Sequence, residues 1–99
     1  MIDLAKIAGF DWDEGNARKN EKHGESMAES EQVFFNSPLL FLEDTRHSRQ
    51  EPRFHALGKT DTLRVLHITF TLRRNGELLR VISARDMHRK DRLIYEKVT

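Results

Sequence analysis

Leu63-Arg64-Val65-Leu66-His67-Ile68-Thr69-Phe70-Thr71-Leu72 is the longest alternating, β-prone run in the chain, and Arg74-Asn75-Gly76-Glu77 leads from it into a second run ending at Arg85. Asn-Gly is the favoured hairpin loop because both central residues of a type I′ turn take positive φ. With Asn75 and Gly76 as the loop, Phe70 faces Val81, Leu72 faces Leu79 and Ile68 faces Ser83. Register in turn assigns faces, since strand side chains alternate with period two. Leu66, Ile68, Phe70 and Leu72 form the face expected to lie under helices. The other face carries His67, Thr69, Thr71 and Arg73, with Leu78, Arg80 and Ile82 on the partner strand.

Working outward, residues 7–12 read as a short first strand, and residues 14–23 are polar and helix-compatible, with Gly24 placed as a C-terminal cap. Ser26 opens a second helix, with Glu29 completing a capping box. Asn36-Ser37-Pro38 ends that helix, because a residue before proline disfavours the α region. Residues 39–43 and 53–57 are further strand candidates, separated by a polar loop over 44–50. Residues 88–98 hold good helix formers and no breaker. The expected order is β-α-α-β-β-β-β-α: an α+β fold with a small antiparallel sheet and helices on one face, a single domain over residues 1–99.

Composition narrows the classes. The 99 residues contain no Cys, which excludes disulfide frameworks, thiolate zinc sites and cysteine nucleophiles. No apolar run approaches the ~20 residues of a bilayer span, and the start lacks a secretory apolar segment, so a cytoplasmic protein without membrane contact is expected. The net charge of +1 hides an asymmetry: residues 1–45 carry −6, and residues 46–99 carry +7. Such a split points to a polyanion or an acidic partner.

The basic half supplies the candidate chemistry. Alternation in residues 53–57 sets Arg53 and His55 apart from Phe54 and Ala56, so one sheet face can present Arg53, His55, His67, Arg73 and Arg80. Polar faces of antiparallel sheets also occur with no function beyond solvation, and both meanings stay open at this point. On a C-terminal helix His88, Arg92 and Tyr95 share a stripe, while Met87, Ile94 and Val98 make an apolar one to dock on the body. Arg85, Arg89, Lys90 and Arg92 add a basic patch. The five His stand at 23, 47, 55, 67 and 88, never at compact ligand spacing, and no phosphate-cradling glycine loop is present, so neither metal nor cofactor is expected. The acidic cluster Asp11-Trp12-Asp13-Glu14 suits a helix N-terminus, where the dipole favours negative charge.

Several segments in order, Phe10-Asp11-Trp12-Asp13-Glu14, Lys22-His23-Gly24, Val33-Phe34…Pro38, Asp44…His47-Ser48, Glu51…Arg53, Thr71-Leu72-Arg73, Val81-Ile82-Ser83-Ala84-Arg85 and Arg92…Tyr95-Glu96, together resemble the BrnT toxins of type II toxin–antitoxin systems. The resemblance runs from about Phe10 to Glu96. It departs at Glu25-Ser26-Met27, where many members have Val-Ser-Phe, and at Asp91, where Glu often precedes the C-terminal Arg. It implies a RelE-like ribonuclease fold that meets RNA with a basic sheet face. It also implies a BrnA-like antitoxin that neutralises the toxin and, in complex, represses their shared operon, so that operator DNA is met only through the pair. Of the candidate residues it supports His47, Arg53, Arg73, Arg80, Arg85 and Tyr95; His55 and His67 rest on the face argument alone.

RNA can be cleaved without metal by its own 2′-OH if the protein supplies a base, an acid and positive charge for the phosphorane-like transition state. Histidine suits the acid–base work near neutral pH, which singles out His47, His55 and His67. Arginine keeps its proton, so Arg53, Arg73, Arg80 and Arg85 suit electrostatic clamping, with Arg46, His88, Arg89 and Arg92 as further RNA contacts. Tyr95 is open between base stacking, phosphate bonding and packing. The expectation is a metal-independent endoribonuclease toxin that stops translation and growth. The alternative is a non-catalytic nucleic-acid-binding or operon-regulating adaptor, since phosphate contacts give affinity without catalysis.

Overall fold

A computed structural model describes residues 4–12, 27–44 and 51–98. The hairpin turns where its Asn-Gly pair demands. Asn75 and Gly76 take φ of 57° and 90°, and Glu77 N–H donates to the Arg74 carbonyl at 3.2 Å, as a type I′ turn requires. The strands on either side are β4 (Val65–Arg73) and β5 (Leu78–Asp86); before them come β1 (Gly9–Phe10), helix α1 (Met27–Phe35), β2 (Leu40–Asp44) and β3 (Arg53–Lys59), and after them helix α2 (Arg89–Lys97). The expected helix over 14–23, its Gly24 cap and the Ser26 cap lie outside the described residues.

The sheet order is β1-β5-β4-β3-β2. Three of its pairings are antiparallel, but β1 runs parallel to β5, with Gly9 beside Leu78 and Phe10 beside Leu79. The sheet is therefore mixed, which corrects the all-antiparallel expectation. Alternation reports which faces a strand has but not its direction. A strand of two residues takes its direction from where Ile7, Phe10 and Trp12 find apolar contact, and all three pack against the core.

The hairpin register is as expected from Arg73–Leu78 to Phe70–Val81 and then shifts by one. Beyond the shift Thr69 faces Ser83, Ile68 faces Ala84 rather than Ser83, and His67 faces Arg85. Ile82 is thus the extra residue of a β-bulge, which kinks its strand and swaps the faces of the residues after it. Alternation from Val81 would have put Arg85 under α1; the bulge turns it onto the face of His67.

Two cores result. Val33 of α1 closes one face with Ala56, Leu66, Ile68, Phe70, Leu79, Val81 and Ala84. On the opposite face Tyr95 of α2 and Met87 join Leu57, flanked by Leu40, Val65 and Ile94. Helices therefore cover both faces, not one. Tyr95, expected on a polar stripe, is 7 % exposed, whereas Val98 of the expected apolar stripe is 57 % exposed. The 3.6-residue period left the facing side of α2 to packing. The α1 stop after Phe35 agrees with Asn36-Ser37-Pro38. No helix among the described residues is long and apolar enough to cross a membrane.

Gly58 makes the close approach of α1 to β3 possible. A Cβ there would meet Val33 Cγ1 at 2.7 Å and the Val33 carbonyl oxygen at 3.3 Å. Val33 is fully buried, so its Cγ1 cannot swing clear without displacing its neighbours, and Gly58→Ala is expected to cost about 1–3 kcal/mol, within the range for overpacking a filled core. The urea midpoint measures it; an unchanged midpoint would mean that α1 moves outward freely.

Candidate active site

The sheet face under the N-terminal end of α2 is laid out in rows by strand pairing. Arg80, Thr71, Arg53 and Asp44 form one row across β5, β4, β3 and β2; Ser83, Thr69, His55 and Leu42 form the next; Arg85, His67, Leu57 and Leu40 form the third. The bulge after Val81 is what lets the last two rows continue the first. The expected basic face is real in its membership, and Arg85 joins it.

Two histidines stand at its centre. His67 Nε2 lies 2.9 Å from His55 Nδ1, and the rings meet edge to face at a centroid distance of 4.8 Å. His55 Nδ1 is also 2.9 Å from the Thr69 hydroxyl, and His55 Nε2 is 3.1 Å from Asp44 Oδ2. On its other side His67 Nδ1 lies 2.9 Å from Arg85 Nη2. One proton assignment satisfies the chain: His55 Nε2–H donates to Asp44, His67 Nε2–H donates to His55 Nδ1, and Arg85 donates to His67 Nδ1. Both imidazoles are neutral in it. The His67 pKa agrees, held below its ordinary value chiefly by burial and then by the Arg85 cation, against the opposing pull of Asp91.

The N-terminal turn of α2 closes the site. Asp91 Oδ2 accepts from Arg85 Nη1 at 2.8 Å and from the His88 backbone N–H at 3.0 Å, and Asp91 Oδ1 is 3.3 Å from His67 Nδ1. The His88 bond is the reach-back half of a capping box. Burial raises the Asp91 pKa, but the bonds from the His88 N–H and Arg85, with His67 close by, outweigh it and bring it to about 2. Asp91 is therefore a carboxylate throughout the neutral range.

The remaining expected residues divide. Arg73 pairs with Glu51 at 3.3 Å and Arg80 with Asp11 at 3.2 Å. Asp11 thus serves a strand arginine; the helix N-terminus expected next to it lies outside the described residues. Arg53 lies opposite Asp44 in the register. The acidic half of the chain is folded against the basic half: Asp11 and Asp44 cross to the basic face and neutralise part of it. Tyr95 packs into the body, its hydroxyl donating to the Pro38 carbonyl at 2.6 Å and its ring in the apolar cluster. His88 and Arg89 are exposed at the start of α2. Arg92 lines a separate cavity with Arg64, Asp86 and Glu96, where Arg64 grips Asp86 through two bonds of 2.7 and 3.2 Å. Arg46 and His47 lie outside the described residues.

Sequence reading missed Asp44 and Asp91. Asp91 carries a legible signal, an acidic residue three positions after a helix start, while Asp44 carries none beyond ending its strand. Compared with protein families, residues 12–91 match the family described as ribonuclease toxin, BrnT, of type II toxin–antitoxin system. No curated relative matches the chain.

Proposed function

The chain belongs to the BrnT family of ribonuclease toxins of type II toxin–antitoxin systems, and from that premise we propose that it is a metal-independent endoribonuclease whose base is His67. The observation that carries this is the Asp44–His55–His67–Arg85 chain of bonds on the basic face. A buried imidazole kept neutral beside an arginine is equipped to take a proton near pH 7.

The steps follow from the bonds. Arg85 releases the His67 Nδ1 lone pair when its guanidinium turns to the substrate phosphate, for which its planar fork is suited. His67 then takes the 2′-OH proton, the 2′-oxygen attacks phosphorus, and Arg85 stabilises the charge that develops on the phosphoryl oxygens. Asp44 fixes the His55 tautomer, so that His55 Nδ1 keeps accepting from His67 Nε2–H and holds the ring in place. His88, exposed at the start of α2, is the candidate donor to the departing 5′-oxygen. Arg53, Arg73 and Arg80, along the neighbouring rows, serve flanking phosphates, with Arg46, His47 and Arg89 as further contacts.

The same reading makes the fold a RelE-like frame spanning the chain as one domain and places the protein in the cytoplasm, where cleavage of RNA stops translation. A BrnA-like antitoxin neutralises it, and their complex represses the shared operon. Incubating the purified protein with RNA in EDTA tests the core of this. Cleavage leaving 2′,3′-cyclic phosphate ends is expected; binding without cleavage would make the protein an adaptor and overturn the enzymatic reading.

A further inference from the structure

The proposed chemistry asks Arg85 and His67 to exchange partners, and one side chain touches both. Asp91 meets Arg85 Nη1 at 2.8 Å, His67 Nδ1 at 3.3 Å and the His88 N–H at 3.0 Å, with its side chain 14 % exposed. The backbone bond makes it a fixed group, tied to the first turn of α2 instead of sweeping the surface. The Arg85 fork is divided in consequence: Nη1 is committed to Asp91 and to the Asp86 carbonyl at 3.0 Å, and Nη2 rests on His67.

We propose that Asp91 is the positioning residue of this site, holding Arg85 over His67 in the free protein and accepting a hydrogen bond from His67 Nδ1–H once His67 has become an imidazolium. The inference rests on the ribonuclease reading above. When His67 Nδ1 gains a proton, Arg85 Nη2 at 2.9 Å is a second donor facing it and cannot accept. Asp91 Oδ1 is the acceptor that Nδ1 faces. The groups around His67 are His55 from β3 with Asp44 behind it, Arg85 from β5, and Asp91 from α2. Asp91 is the anion in direct contact. It thus does for His67 what a carboxylate does for a catalytic imidazole elsewhere, stabilising its charged form. It also couples the start of α2 to the phosphate-binding arginine, so that a helix shift and an Arg85 release are one movement.

Asp91→Asn tests this, because an amide oxygen still accepts from the His88 N–H while the charge is lost. In EDTA, kcat on an RNA oligonucleotide is expected to fall about tenfold or more, with a smaller change in KM. The acid limb of the kcat/KM profile is expected to move to lower pH, since Asp91 is a group that raises the His67 pKa. A merely structural role would not move that limb. In the wild-type protein, the Asp91 carboxyl carbon resonance is expected to shift as His67 titrates, a measurement that needs no variant to fold. A wild-type rate and unmoved limb in Asp91→Asn, or an Asp91 resonance indifferent to the His67 titration, overturns the proposal. A wild-type protein that does not cleave RNA overturns the ribonuclease reading instead, so the two failures are distinct.

Discussion

His67→Ala is expected to lower the rate of RNA cleavage by about 10²–10⁴, the usual contribution of a positioned general base, and to abolish growth arrest when the protein is induced without its antitoxin. The loss follows from the position of the ring. His67 bonds to His55 through Nε2 and to Arg85 through Nδ1, so alanine removes the base, while Asp44 still holds His55 and Asp91 still holds Arg85. The fold has other support, since Leu57, Met87 and Tyr95 hold α2 to this face. Circular dichroism and thermal unfolding are expected to show a folded variant. The pH profile carries a sign. The base works as neutral imidazole, and the His67 pKa lies below the ordinary 6.5. Wild-type activity is therefore retained as pH falls through 6.5 and is lost only below it. A fully active His67→Ala variant would move the base elsewhere and sink the histidine account, leaving Arg85 as the residue to substitute next.

Phe70→Ala is the expected largest blow to stability. Its ring is fully buried and lies 5.2 Å from Phe34, 5.6 Å from Phe54 and 5.8 Å from Phe41, centroid to centroid. It thus joins α1, β2, β3 and β4 in one aromatic contact. Removing it forfeits transfer energy and leaves a cavity that three rings and a sheet cannot close, for about 3–5 kcal/mol. Native domains hold only about 5–15 kcal/mol in total, so the variant is expected to be largely unfolded at modest urea concentration. A fall of less than about 1 kcal/mol in unfolding free energy would show that the aromatic cluster is not the centre of the core.

The hairpin was legible because its two signals are local and strong. Asn75-Gly76 demands positive φ, and the run from Val65 to Arg73 alternates without a break. Together they placed Phe70 and Leu72 correctly and put His55, His67, Arg73 and Arg80 on a shared face. The bulge was not legible. Ile82 is β-branched and apolar, a good residue for either a regular strand or a bulge, and no Gly marks the spot. Nor was the docking of α2, because Met87, Ile94 and Tyr95 pack only after Leu57 and Val65 present a surface to receive them.

The half-chain charges of −6 and +7 show the same division between levels. Composition placed the carboxylates early and the guanidinium groups late, and suggested a basic surface kept apart. Strand pairing instead brings Asp11 to Arg80 and Asp44 to His55, because β1 joins the sheet beside β5 and β2 joins it beside β3. By itself the amino-acid order determined the turn, the alternating faces and the two histidines, all of which depend on neighbours a few residues away. The tertiary structure alone decided that Arg85 would face His67, that Asp91 would clasp both, and that Asp44 would hold His55. Those contacts join residues from β2, β3, β4, β5 and α2, and no local rule of side-chain period or turn chemistry reaches across them.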